Sequence, residues 1–209
     1  EDVERTSKTY GCGIIDRLAR HGLLTEQSIL AHGVHLTDVE LAEIARSGAW
    51  LVHNPRSNMN NSVGQAPVER FGDHAALGVD GWPADMVAEA RFAHFRMRER
   101  LGARISFPTL KLVDGGERLA STLFGTPIGT LVPGTAADLV VCDYMPPTPI
   151  QGSNVAWHLL AGLQPAMINK VMVAGRWVYR DGRVAGVDMQ EVYGKARRVA
   201  ASLWTRMRG

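Results

Sequence analysis

Between residues 22 and 102 the chain repeats one pattern three times: a short, wholly apolar run, a polar residue at its end, then a stretch of helical period. In the first copy Ile29, Leu30 and Ala31 lead into His32. Thr37-Asp38-Val39-Glu40 then has the spacing of a capping box, in which the hydroxyl and the carboxylate satisfy backbone amides that a helix start leaves unpaired. Leu41, Ile44 and Ala45 give the helix its apolar face, and Gly48 stands where a left-handed C-terminal cap belongs. In the second copy Trp50, Leu51 and Val52 lead into His53, and Pro55 is expected to end the run before a polar loop. In the third, Ala75 to Val79 lead into Asp80. A helix follows Pro83, with Met86, Val87, Ala90, His94, Met97 and Leu101 on one face and Gly102 at its end.

Apolar runs alternating with amphipathic helices predict parallel strands covered by helices, an α/β arrangement. Ligand sites in such folds gather at the C-terminal ends of the strands. His32, His53 and Asp80 hold those ends, so three polar groups able to bind a metal or move protons are expected to share one cavity.

Beyond residue 105 the texture changes. The stretch LKLVDGGERLASTLFG predicts one more helix, and IGTLVPGTAADLVVCDY and MINKVMVAGRWVYRDGRV predict short strands joined by tight turns. Asp181-Gly182 is a strong hairpin signal. MPPTP, residues 145–149, is a loop, and Asp138 is expected to serve a turn. Near the C-terminus Val192, Ala196, Val199, Leu203 and Met207 interleave with Lys195, Arg197, Arg198, Arg206 and Arg208 at helical spacing, which predicts an amphipathic helix with a solvated basic face.

Composition narrows the picture only a little. A formal charge of +2 over 209 residues gives no footing for nucleic-acid binding. No apolar run reaches membrane length. Cys12 and Cys142 are far apart and show no metal-finger spacing.

Asp80 asks for the most explanation. A buried, ionised carboxylate at the end of an apolar run is costly unless a cation or several donors meet it. A lone Asp-Gly is by default a turn, and a lone strand-end histidine is by default bonded to a backbone carbonyl. His32-x-x-His35 precedes the Thr37 cap rather than lying within a helix, so it is not a zinc-binding helix motif, and His35 is expected to be structural. Polar residues after the second run, His53, Asn54, Ser57 and Asn58, suit hydrogen bonding to a heterocycle and suit turn formation equally well. Trp82 suits stacking on a flat ring or filling a cavity mouth equally well.

LAHGVHL, LVHNPRSNMN and ALGVDG, followed by IGTLVPGTAADLVVCD and VMVAGRWVYRDGRV, resemble the metal-dependent amidohydrolase superfamily, within it the branch of aminohydrolases and chlorohydrolases. The resemblance implies an eight-stranded β/α barrel beside a small β-sandwich. The present chain would supply barrel strands six to eight within residues 1–125, the C-terminal share of the sandwich in 126–185, and a terminal helix in 186–209. The His-x-His pair and further histidine that the family carries earlier in its barrel are not found here, so the chain is expected to be the C-terminal portion of a larger enzyme and inactive alone.

By the same resemblance Asp80 would be a metal ligand and proton shuttle. A divalent ion, zinc or alternatively iron, lowers the pKa of bound water from 15.7 to about 7, and a carboxylate beside that water can take up the proton and return it to a departing amine. His32 would orient the nucleophile, and His53, Ser57, Asn58 and Trp82 would contact the substrate. The expected reaction is hydrolytic deamination of a small amino-substituted N-heterocycle by a cytoplasmic enzyme, either monomeric or homo-oligomeric, with the missing N-terminal part as its partner. Hydrolytic dechlorination and a non-catalytic scaffold role are the alternatives.

Overall fold

The computed structural model describes residues 2–102 and 109–208. Two short helices, α1 (Asp2–Tyr10) and α2 (Ile14–Arg20), open the chain where the sequence offered no pattern. Strand β1 (Ile29–Ala31), helix α3 (Asp38–Ser47), β2 (Trp50–His53), helix α4 (Pro55–Asn60), β3 (Ala75–Leu77), α5 (Met86–Leu101) and α6 (Thr109–Phe124) follow. The three strands form a parallel sheet in the order β1-β2-β3, with Ile29 opposite Trp50 and Leu51 opposite Ala75. The expected α/β arrangement is therefore present.

Local chemistry explains the helix boundaries. The Thr37 hydroxyl accepts from the Glu40 amide while the Glu40 carboxylate accepts from the Thr37 amide, and Gly48 closes α3 with φ +75°. Asp85 caps α5 by accepting from the Ala88 amide at 2.8 Å. The polar loop expected after β2 is instead a short helix. Pro55 occupies its first turn, where a missing N–H costs nothing and the fixed φ already suits a helix.

The core lies between the parallel sheet and its helices: Leu41, Ile44, Leu51, Ala75, Leu77, Ala90, Ala93, Met97 and Leu112 are all buried. Helix α6 lies directly on β3, because Gly115 lets the two backbones meet. A Cβ at Gly115 would collide with the Ala75 carbonyl oxygen.

A second sheet, antiparallel, follows in the order β4 (Leu139–Cys142), β5 (Ile168–Val173), β6 (Arg176–Arg180) and β7 (Arg183–Val184). Asp181-Gly182 makes the expected hairpin, both residues at positive φ as a type I′ turn requires. Ala174-Gly175 makes the same kind of turn, with Ala174 at φ +48°; the Asp138 carboxylate accepts from the Ala174 amide at 2.7 Å, which gives that aspartate its turn-stabilising role. Between β4 and β5 a short helix, α7 (Val155–Trp157), runs into a π-turn at His158–Gly162. Arg91 of α5 reaches across to donate to the Leu160 and Leu163 carbonyls, each at 2.8 Å. The chain closes with α8 (Met189–Arg208), none of whose residues is buried. Among the described residues no helix is long and apolar enough to cross a membrane.

Candidate functional site

Of the three strand-end residues expected to share one cavity, His32 and Asp80 line one cleft, whereas His53 does not: it is buried beside a separate small cavity. The ladder runs on past the strands themselves: the His32 amide donates to the Val52 carbonyl at 2.8 Å, and the Gly78 amide to the His53 carbonyl at 2.9 Å. Those two bonds hold the segments leading to His32 and Asp80 in register with β2 between them.

His32 and Asp80 both leave their strands in the left-handed region, at φ +72° and +51°. That conformation is uncommon for residues with a side chain, although His and Asp tolerate it better than most. It costs on the order of 1–3 kcal/mol and concentrates at functional sites. The turn aims both side chains into the same space, where His32 Nε2 stands 4.0 Å from Asp80 Oδ2. The two side chains remain 41% and 45% exposed, so the site is open to a ligand. Both line a cleft of about 700 Å³ whose walls include Ile14, Leu18, Leu30 and Val34. Mostly apolar walls with a few convergent polar groups are the ordinary make-up of a small-molecule site.

The other sequence-predicted residues surround this pair at differing depths. Ser57 donates to Asp80 Oδ2 at 2.5 Å, and Asn58 Oδ1 lies 2.8 Å from His32 Nδ1. His53, Ser57 and Asn58 are all buried. Burial, reinforced by the nearby His32 and Arg100, pushes the His53 imidazole down to a pKa of about 4 and keeps it neutral. Trp82 differs: it is partly exposed and lines an open pocket with Asp80, Asn60 and Asn61.

Three contributors were missed in the sequence. Asn61 borders both the large cleft and the Trp82 pocket, and its Nδ2 lies 3.4 Å from Ser57 Oγ. Arg56 and Glu89 form a buried ion pair, Nε to Oε1 at 2.6 Å, with side-chain exposures of 10% and 0%. Burial pushes the Glu89 carboxyl up, and the Arg56 guanidinium opposes that rise. Arg56 also donates to the Pro83 carbonyl at 2.6 Å, and its guanidinium lies 5.6 Å from the Trp82 ring. A single residue of α4 thereby fastens the loop that carries Asp80 and Trp82. The two charges lie 33 positions apart and follow no local pattern that could announce them.

For a metal ion, Asp80 offers a hard oxygen donor and His32 an imidazole, the donor types that zinc accepts. A complete site needs more. Among the described residues no three His, Cys, Asp or Glu side chains converge. These residues fit as part of a ligand set, and no more than part.

The chain is 31% identical over 211 residues to the 5-methylthioadenosine/S-adenosylhomocysteine deaminase of Desulforudis audaxviator, an alignment covering 97% of this chain and 49% of that protein. It is 32% identical over 201 residues to the 8-oxoguanine deaminase of Pseudomonas aeruginosa, covering 93% and 44%. The chain thus spans about half the length of the curated relatives it matches. Its fold is similar to that of an adenosine deaminase from Xanthomonas campestris solved with bound zinc, at a TM-score of 0.83 and 24% identity over 97% of this chain and 48% of that one. A zinc complex of the atrazine chlorohydrolase from Arthrobacter aurescens gives a TM-score of 0.73 at 20% identity, over 94% and 46%. The sequence matches the amidohydrolase family over residues 1–178, a span that holds the parallel sheet together with His32, His53 and Asp80. The chain belongs to the amidohydrolase family.

Proposed function

We propose that the full protein containing this chain removes an amino group from a small N-heterocycle by hydrolysis. The observation that carries this reading is the pairing of His32 and Asp80, 4.0 Å apart and half-exposed at the ends of β1 and β3 in one cleft. The family and the deaminase relatives support it. On this reading residues 1–125 are part of a β/α barrel, with β1 to β3 as its strands six to eight. Residues 126–185 are part of a β-sandwich, and 186–209 form a terminal helix.

Asp80 serves as one ligand of a divalent ion, zinc before iron. The remaining ligands come from outside the described residues, so this stretch alone does not turn over substrate. Such an ion, when bound, makes hydroxide available at neutral pH. The Asp80 carboxylate receives the proton of the attacking water and passes it to the departing amine. Ser57, by donating to Oδ2, holds the carboxylate so that Oδ1 stays free. His32 orients the nucleophile from the other side. Trp82 supplies a flat apolar surface for the heterocycle, while the buried His53, Ser57 and Asn58 shape the pocket from beneath.

The test is ammonia release by the intact protein from 5′-methylthioadenosine, S-adenosylhomocysteine and 8-oxoguanine, with chloride release from a chlorotriazine measured in parallel. Ammonia release is expected from at least one amino compound. Asp80→Asn is expected to lower it by about 10³-fold or more with an unchanged circular dichroism spectrum. Chloride release without ammonia would replace deamination by dehalogenation. Asp80→Asn at near wild-type rate would overturn the assignment of the site.

A further inference from the structure

We propose that Asn58 is a positioning residue that fixes the imidazole tautomer of His32, holding the ring hydrogen on Nδ1, so that Nε2 presents a bare lone pair toward Asp80. This rests on the reading of His32 and Asp80 as the reacting pair. A neutral imidazole has two tautomers, and the hydrogen bond made by one nitrogen decides what the other can do.

His32 Nδ1 lies 2.8 Å from Asn58 Oδ1, an atom that only accepts, which places the hydrogen on Nδ1. The amide nitrogen of Asn54 is 3.5 Å away, beyond the usual length of a good N–H hydrogen bond. On the other side of the ring, Nε2 stands 4.0 Å from Asp80 Oδ2. Two acceptors at that separation are too far apart to bond directly and well placed to accept from one water between them. With the opposite tautomer, Nε2–H would point at the carboxylate and leave such a water only one acceptor.

The chain of bonds continues into the core and gives Asn58 a reason for its orientation. Asn58 Nδ2 and His53 Nδ1 are both buried and find no hydrogen-bond partner among the described residues. Both residues line a small cavity of about 10 Å³, which Met97, Gln65 and Arg100 help to wall. That volume suits a single water. A water placed there would accept from Asn58 Nδ2 and donate to His53 Nδ1, which burial keeps neutral and able to accept. Every bond then has the same polarity, from His32 through Asn58 and the water to His53, and bonds aligned in this way strengthen one another. Turning the Asn58 amide over would aim its nitrogen and that of Asn54 at the same ring nitrogen.

Long-range ¹H–¹⁵N correlation spectra of the intact protein, labelled in its histidines, read the tautomer directly. The expected result is that the neutral form of His32 is the Nδ1–H tautomer. Asn58→Asp, which keeps an acceptor, should retain that form. Asn58→Leu should give a mixture and lower kcat by about 10²-fold with KM changed less than about threefold. An Nε2–H tautomer in the wild-type protein would overturn the proposal, and this holds even if Asn58→Leu fails to fold. So would an unaltered Nδ1–H signal in a folded Asn58→Leu protein. The expected tautomer in a protein that releases no ammonia would sink the functional reading and leave this inference standing.

Discussion

Strands β2 and β3 of the parallel sheet are almost wholly apolar and buried, whereas edge strand β1 leaves Ile29 and Ala31 exposed. The antiparallel strands β4–β7, interrupted by Asn169, Lys170 and three arginines, leave their apolar positions at least partly uncovered. Trp50, Leu51, Ala75, Ala76 and Leu77 are sealed under helices that the same stretch of chain provides. Among the described residues no position of β4 to β7 is buried, and Val140 and Val173 are 60% and 50% exposed. Parallel strands require crossover helices, and those helices bring the cover with them. Antiparallel hairpins need only tight turns and carry no cover of their own. Charge follows the same division: the Arg56–Glu89 pair is buried beneath the site, whereas the Arg180–Asp181 pair lies in solvent.

Removing half of each ion pair should break the comparison most strongly. Glu89→Ala strands the Arg56 guanidinium in the interior and should cost about 3–5 kcal/mol in urea unfolding of the intact protein. Arg180→Ala should leave the midpoint unchanged within error, as exposed pairs contribute little. Equal losses would mean that the two regions are buried alike. Next comes truncation in the strands. Leu51→Ala should cost about 2–5 kcal/mol, and Val140→Ala well under about 1 kcal/mol by the same unfolding measurement.

The third effect depends on pH. His53 has a folded pKa of about 4, below its ordinary 6.5, so the unfolded chain binds more protons between those values. Its contribution to stability is therefore whole above about pH 6.5, declines as pH falls, and is spent by about pH 4. The loss should reach about 2 kcal/mol at pH 5. Unfolding curves of the wild type and of His53→Gln at pH 7.5 and 5 measure it, and the difference between the two proteins should shrink by that amount at the lower pH. A constant difference would remove His53 from the buried, neutral side of the comparison.

What the sequence disclosed follows the same physical line. The apolar runs ending in His53 and Asp80 were visible because a strand covered on both faces leaves an unbroken apolar signature; β1, ending in His32, carries the same run with Ile29 and Ala31 exposed. The α3 cap was visible because Thr37 and Glu40 act within one turn. Helix α4 was not, since Pro55 stops one element and starts the next with equal ease. The residues that secure the site escaped for a different reason: Arg56 meets Glu89, and Ser57 meets Asp80, only after the strands have brought distant segments together. Expecting substrate contacts from residues after a strand cannot tell those that border an open pocket, such as Trp82, from those sealed in the interior, such as His53.

The positive φ angles at His32 and Asp80 restrict what can replace either residue. Lengthening the acid at position 80 by one methylene would shift its oxygens and place a residue less tolerant of that backbone at the bend, so Glu is penalised twice where Asn is penalised once. Threonine, valine and isoleucine, with their branched Cβ, are the most strongly disfavoured there. Variation that retunes this site therefore has to enter through the neighbours that grip the two side chains, and hardly at all through the side chains themselves.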